Sequence, residues 1–214
     1  MTTPAFTVKE SLGFGWRTFK ARPWFFAGTV VAYFVIQFLV SMLQGSGLVH
    51  EFIAFIVSLG VSTLLYCGLM QIYLKAHDDP HAPTWEDFWN PKPFLNYLGT
   101  SILLAIMVIL GVIALIIPGI YLALMFSMAG YLVVDRGLGP IEALKESARL
   151  TSGQRWKLLL LGVVIFGLGI LGSIPLFLGL LVVGPVSMLA AAHVYRALQS
   201  SAGAVAPVSP PPAA

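Results

Sequence analysis

Apolar residues run along this sequence in long blocks, and the short segments between them carry nearly all of the charge. The first block, Trp24 to Leu43, and the second, Phe52 to Leu74, are each near the about 20 helical residues that cross a hydrocarbon core of roughly 30 Å. Between them Gln44, Gly45, Ser46 and Gly47 suit a tight turn, so the pair predicts a hairpin. Tyr97 to Val134 has no charge and is too long for one crossing. Pro118 and Gly119 interrupt it and predict the turn of a second hairpin. Leu158 to Val194 is likewise too long, and a turn at Ile174 and Pro175 divides it into a third. Pro185 lies deeper in the last span and reads as a kink, because a break there would leave too short a final helix.

Each hairpin follows a segment that mixes charge with apolar residues. In the first, Thr7 and Glu10 have capping-box spacing, and Val8, Leu12, Trp16 and Phe19 share a face opposite Lys9, Arg17 and Lys20. In the second, Trp85, Phe88 and Trp89 accompany Glu86 and Asp87. In the third, Pro140 suits a first turn, Ile141, Leu144 and Ala148 share a face, and Glu142, Lys145, Glu146 and Arg149 oppose them, with Gly153 as a stop. These read as amphipathic helices at the membrane interface. Val8-Lys9-Glu10-Ser11 and Leu144-Lys145-Glu146-Ser147 resemble each other, which fits either a threefold repeat of interfacial helix plus hairpin or chance likeness between two amphipathic helices.

The predicted fold class is therefore an all-α polytopic membrane bundle of about six helices. It forms one membrane domain over residues 1–200 (units 5–75, 84–135 and 139–196), with an Ala/Pro-rich disordered tail over 201–214. Composition agrees: among 214 residues 58% are hydrophobic and 10% charged, against about 25% charged in ordinary soluble domains. The net charge of +3 matters less than its placement, since with the N-terminus inside all 12 Lys and Arg residues fall on one side and only His50 and Glu51 on the other. That places both termini in the cytoplasm. The first block lacks a small-residue cleavage site, so a cleaved leader is not expected. Cys67, the single cysteine, reads as a small buried hydrophobe.

Chemistry is sparse. The spans hold no ionisable residue at their centres, and His193 falls near the inner end of the last one. Gln37, Ser58, Ser62, Thr63, Gln71, Ser101 and Ser127 suit hydrogen bonds between helices better than a solute path. The loop His77-Asp78-Asp79-Pro80-His81 offers metal ligands without the spacing of a structural zinc cage, and no phosphate-cradling glycine loop or nucleophile, base and acid set emerges. Gly167, Gly169 and Gly172 with Ser173 thin one face of the fifth span for close contact. Arg17, Lys20, Arg22, Arg149, Arg155 and Lys157 form a cationic girdle among boundary tryptophans, a set suited to anionic headgroups as well as to orientation. No catalytic, cofactor or metal residues are assigned. The turns at Pro118-Gly119 and Pro175 are flanked by apolar residues, which leaves open whether the second and third hairpins cross fully.

Several of these residues together resemble a known group: Pro118-Gly119-Ile120, Ser127-Met128-Ala129, Val133-Val134-Asp135, Ala143-Leu144-Lys145 with Ser147, and Gly153 before Arg155-Trp156-Lys157-Leu158. They are similar to the membrane domain attached to some bacterial glycerophosphoryl diester phosphodiesterases and to stand-alone relatives of unknown function. Gly68-Leu69 followed by Trp85-Glu86-Asp87-Phe88-Trp89 fits the same pattern, and the likeness covers most of residues 5–198. The resemblance implies an inner-membrane helical module near lipid or envelope metabolism. The phosphodiesterase chemistry belongs to a separate soluble barrel and does not carry over. The expected function is a non-catalytic module that contacts membrane lipids, other membrane proteins or itself, not nucleic acid; the alternative is a transporter of an uncharged or apolar solute. A membrane-impermeant maleimide should label Lys145→Cys only from the inside, and a reporter after Ala197 should be active only there. Outside labelling overturns the orientation.

Overall fold

The computed structural model describes residues 6–42, 47–89, 93–173 and 179–205, which contain helices and no strand. Helix α1 spans Val8–Ala21, α2 Pro23–Ser41 and α3 Leu48–Asp78; a 3-10 helix, Trp85–Trp89, leads to α4, Phe94–Ala114. Then come α5 (Ile116–Met125), α6 (Ala129–Arg136), α7 (Pro140–Leu150), α8 (Arg155–Ser173) and α9 (Leu180–Val205). Six stretches are long and apolar enough to cross a membrane: α2, α3, most of α4, α5 with α6, α8 and most of α9. The all-α membrane bundle expected from the sequence is thus the fold observed.

The six stretches divide into two kinds. In α2, α4 and α8 only 17%, 11% and 17% of the span is buried in protein, against 33%, 39% and 39% in α3, α5–α6 and α9. The first helix of each unit is thus peripheral and the second is internal. Each charged segment packs on the internal helix of the unit before it: the 3-10 helix on α3, α7 on α6, and α1, cyclically, on α9. Burial also changes along the helices. In α3 the exposed residues include Phe52, Phe55 and Ile56, whereas Leu65, Ile72, Tyr73 and Ala76 are buried. The packed core therefore lies at the charged end, and the opposite half shows lipid-like solvent a continuous apolar surface far larger than a soluble monomer exposes.

The interfacial segments differ from the periodicity reading in the face they bury. Thr7 caps α1 by accepting from the Glu10 amide at 3.2 Å, as its spacing predicted. Yet α1 buries Ser11, Gly15, Thr18 and Phe19, while Trp16 stays 46% exposed. Small side chains win here because α1 meets α9 backbone to backbone: a Cβ on Gly15 would overlap the Val186 carbonyl oxygen. Helix α7 likewise buries Ala143, Leu144, Ser147 and Leu150, with Ile141 exposed. Gly153, at φ +78°, ends the α7 turn as expected.

The central hairpin also differs. Its turn is Leu115, in extended conformation, and Pro118 and Gly119 belong to the first turns of α5. Pro118 has no amide proton to lose there. Gly119 lies against the α4 backbone, where a Cβ would come within 2.9 Å of the Val112 nitrogen. Pro175 lies outside the described residues, while Pro185 sits inside α9, which continues through it.

A second, unforeseen interruption separates α5 from α6 at Phe126–Met128. It frees backbone groups in an apolar setting, and α7 satisfies them. The Ser147 hydroxyl donates to the Met125 carbonyl at 3.0 Å and accepts from the Met128 amide at 3.1 Å, and the Thr151 hydroxyl adds a 3.0 Å bond to the Met125 carbonyl. Ser147→Ala strands the buried Met128 amide, which costs about 1–3 kcal/mol. A lowered unfolding midpoint in detergent, with Lys145→Ala unchanged as control, is the expected result; equal midpoints would show that the interruption is satisfied in another way.

Candidate functional site

The polar side chains of the bundle gather at the ends of the three internal helices. Arg196 of α9 reaches Asp78 at the end of α3 (3.2 Å) and Asp135 near the end of α6 (3.1 Å). Asp135 also accepts from the Tyr195 hydroxyl at 2.8 Å and from the Gln199 amide at 3.2 Å. Beside this junction His77 Nδ1 lies 3.1 Å from Asp78, and His77 Nε2 lies 3.2 Å from Nδ1 of His193. The Phe14 ring of α1 covers both imidazoles, with centroids 4.8 and 4.6 Å away. His193 is thus partnered at a helix junction. The sequence grouped His77 with His81, but His77 is joined to a residue far along the chain. Among the described residues no set of three or more His, Cys, Asp and Glu side chains is placed to hold a metal.

A second polar contact holds the 3-10 helix. Lys75 pairs with Asp87 at 2.5 Å, and the Thr84 amide and hydroxyl donate to the same carboxylate at 3.0 and 3.2 Å. Burial pushes the Asp87 pKa up, but Lys75 and the Thr84 donors outweigh it and hold the carboxyl below its usual range. Just above, Gly68 lets α3 approach the Phe88 carbonyl so closely that any Cβ would overlap it.

The cationic girdle separates into three groups. Arg22 is committed to the protein: it donates to the carbonyls of His81 (3.2 Å) and Pro83 (3.1 Å) and lies 4.3 Å from the Phe25 ring centroid. Arg149 is committed too, forking onto Glu146 at 2.8 and 2.7 Å, with Arg136 a further 3.7 Å from that carboxylate. The Arg149 hydrogen bond holds the Glu146 carboxyl below its ordinary pKa despite partial burial. By contrast Arg17, Lys20 and Lys157 have no carboxylate within ion-pair distance among the described residues, and Lys20 rests 5.5 Å from the Trp16 ring.

Arg155 stands apart. Its guanidinium lies 4.6 Å from the Tyr121 ring centroid and donates to the Tyr121 hydroxyl. It borders an apolar cleft of about 620 Å³ between α5 and the start of α8, walled by Ile117, Ile120, Tyr121, Leu124, Trp156 and Leu159. Sequence reasoning placed Arg155 in a band and Tyr121 in a span without joining them. The only signal was a lone tyrosine among Ile and Leu in α5, which periodicity does not connect to a residue 34 positions on.

Arg196→Gln removes a side chain that ties α9 to both α3 and α6 and leaves Asp135 short of a cation. It should lower stability by about 1–3 kcal/mol. A double-mutant cycle with Asp135→Asn should give a coupling of at least about 0.5 kcal/mol; additive effects would dismiss the junction.

Comparison with known proteins adds kinship without a function. Uncharacterised proteins of Mycobacterium bovis and of two strains of Mycobacterium tuberculosis are each 24% identical over 173 residues, covering 81% of this chain and 52% of the relative. The chain spans about half the length of these curated relatives. No solved structure matches it. The profile of a family described as a protein of unknown function (DUF975) matches residues 25–202, from the start of α2 into the last turns of α9, and the chain belongs to that family.

Proposed function

We propose that this chain is a non-catalytic, lipid-interacting module of a bacterial inner membrane, with its charged end and both termini on the cytoplasmic side. The observation that carries the reading is the set of cations without carboxylate partners among the described residues, Arg17, Lys20, Arg155 and Lys157, next to a broad exposed apolar surface that suits lipid. Snorkelling cations and the exposed Trp16, Trp24 and Trp156 suit the headgroup level, where each cation near an anionic leaflet contributes about 1 kcal/mol. The carboxylates Asp78, Asp87, Asp135 and Glu146 at the charged end are held by neighbouring cations, and those of Asp78, Asp87 and Asp135 tie separate elements together, which favours a scaffold over a catalytic centre. The resemblance to the phosphodiesterase membrane domain supports a place near lipid or envelope metabolism.

The test uses the intact chain in vesicles of mixed phosphatidylglycerol and phosphatidylcholine, with retained lipid read by native mass spectrometry. The wild type should retain phosphatidylglycerol preferentially. Combined Arg17→Gln, Lys20→Gln and Lys157→Gln should cut that preference several-fold while leaving insertion intact. A wild type with no preference for the anionic lipid overturns the reading, and saturable movement of a defined solute by the same vesicles would replace it with transport.

A further inference from the structure

The geometry points to the α5–α8 cleft as a binding site for one anionic glycerophospholipid, with an acyl chain along the cleft and the phosphate on Arg155. The inference rests on the lipid-interacting reading and narrows it to one place and one ligand class. The cleft volume, about 620 Å³, lies within the roughly 300–1,000 Å³ usual for sites that hold a small molecule. Ile117, Ile120, Leu124 and Leu159 offer it hydrocarbon and nothing to hydrogen-bond, which selects an alkyl chain.

The headgroup charge follows from Arg155. A guanidinium has five donors and keeps its charge at any physiological pH. Here its bonds are few: one nitrogen donates to Tyr121, Nε is buried without a partner, and among the described residues no carboxylate is within ion-pair distance. A cation at an apolar cleft with an unused donor lacks a counter-anion, and a phosphate accepts from such a fork through two oxygens at once. Helix α8 begins at Arg155, so its N-terminal dipole adds positive potential at the same end. The neighbouring cation Arg149 does not compete for the phosphate, because Glu146 already holds it.

The experiment measures individually bound lipids on the full chain by native mass spectrometry after extraction from vesicles of phosphatidylglycerol and phosphatidylcholine. Two variants separate the parts of the site. Arg155→Gln should lower the preference for the first retained phosphatidylglycerol about fivefold, the share of one cation. Ile120→Trp, which fills the cleft, should abolish that first bound lipid while the weaker anionic annulus persists. Arg155→Gln keeps a polar side chain of similar reach at a partly buried position and decides the matter alone if Ile120→Trp does not fold. An unchanged first-lipid preference in Arg155→Gln overturns the cleft site. If that preference responds instead to Arg17→Gln, Lys20→Gln and Lys157→Gln, the broader lipid reading survives and the cleft does not. If the wild type shows no preference at all, both fall.

Discussion

Helices surrounded by lipid gain little by hiding apolar surface on one another, because the solvent they leave is as apolar as the partner they meet. What holds them is close backbone approach and polar bonding, and this chain collects both at its charged end. Arg196 touches Asp78 and Asp135, so a single side chain joins the ends of all three internal helices. Tyr195 and Gln199 saturate the shared carboxylate, and the paired His77 and His193 rings lie beside it under Phe14. The far half has contacts such as Gln37 to Ser62, but most of its large side chains face outward.

Around that junction the three charged segments act as wedges. Each docks on the internal helix of the unit before it, and at two of the three docks the fit depends on glycine. Gly15 admits the α9 backbone and Gly68 admits the Phe88 carbonyl. At the third, alanines Ala129 and Ala143 are fully buried, and Ser147 supplies the polar half of the contact by repairing the interruption between α5 and α6. On the other side of that interruption α5 presents Ile117, Ile120 and Tyr121 to the cleft it shares with the start of α8.

The spans were legible because a membrane segment must be long and apolar, a property of composition that survives any packing arrangement. The hairpin pairing and the capping role of Thr7 were legible for a similar reason, since each is local. Faces were not. The apolar period of α1 pointed to Val8, Leu12, Trp16 and Phe19, of which only Phe19 is fully buried, because the contact with α9 also selected Ser11, Gly15 and Thr18, and period analysis scores a buried serine or glycine as a gap. Pro118 and Gly119 marked the right region and the wrong residues, because proline serves a helix start as well as a turn. Among the motif residues, Gly68 and Ser147 prove to sit at two of the docks and Asp135 at the junction, yet a sequence gives no hint that Asp135 answers to Arg196 or Arg155 to Tyr121. Two of the six girdle cations, Arg22 and Arg149, turned out to be occupied by carbonyls and a carboxylate.

The pairing of α1 with α9 also sets an order of events during synthesis. Helix α1 leaves the ribosome long before α9, so the face of Ser11, Gly15 and Thr18 stays unpacked until α9 has been translated. Contacts so distant in sequence close late. Until then the nascent protein carries an amphipathic segment with its docking face empty, and only the arrival of α9 fills it.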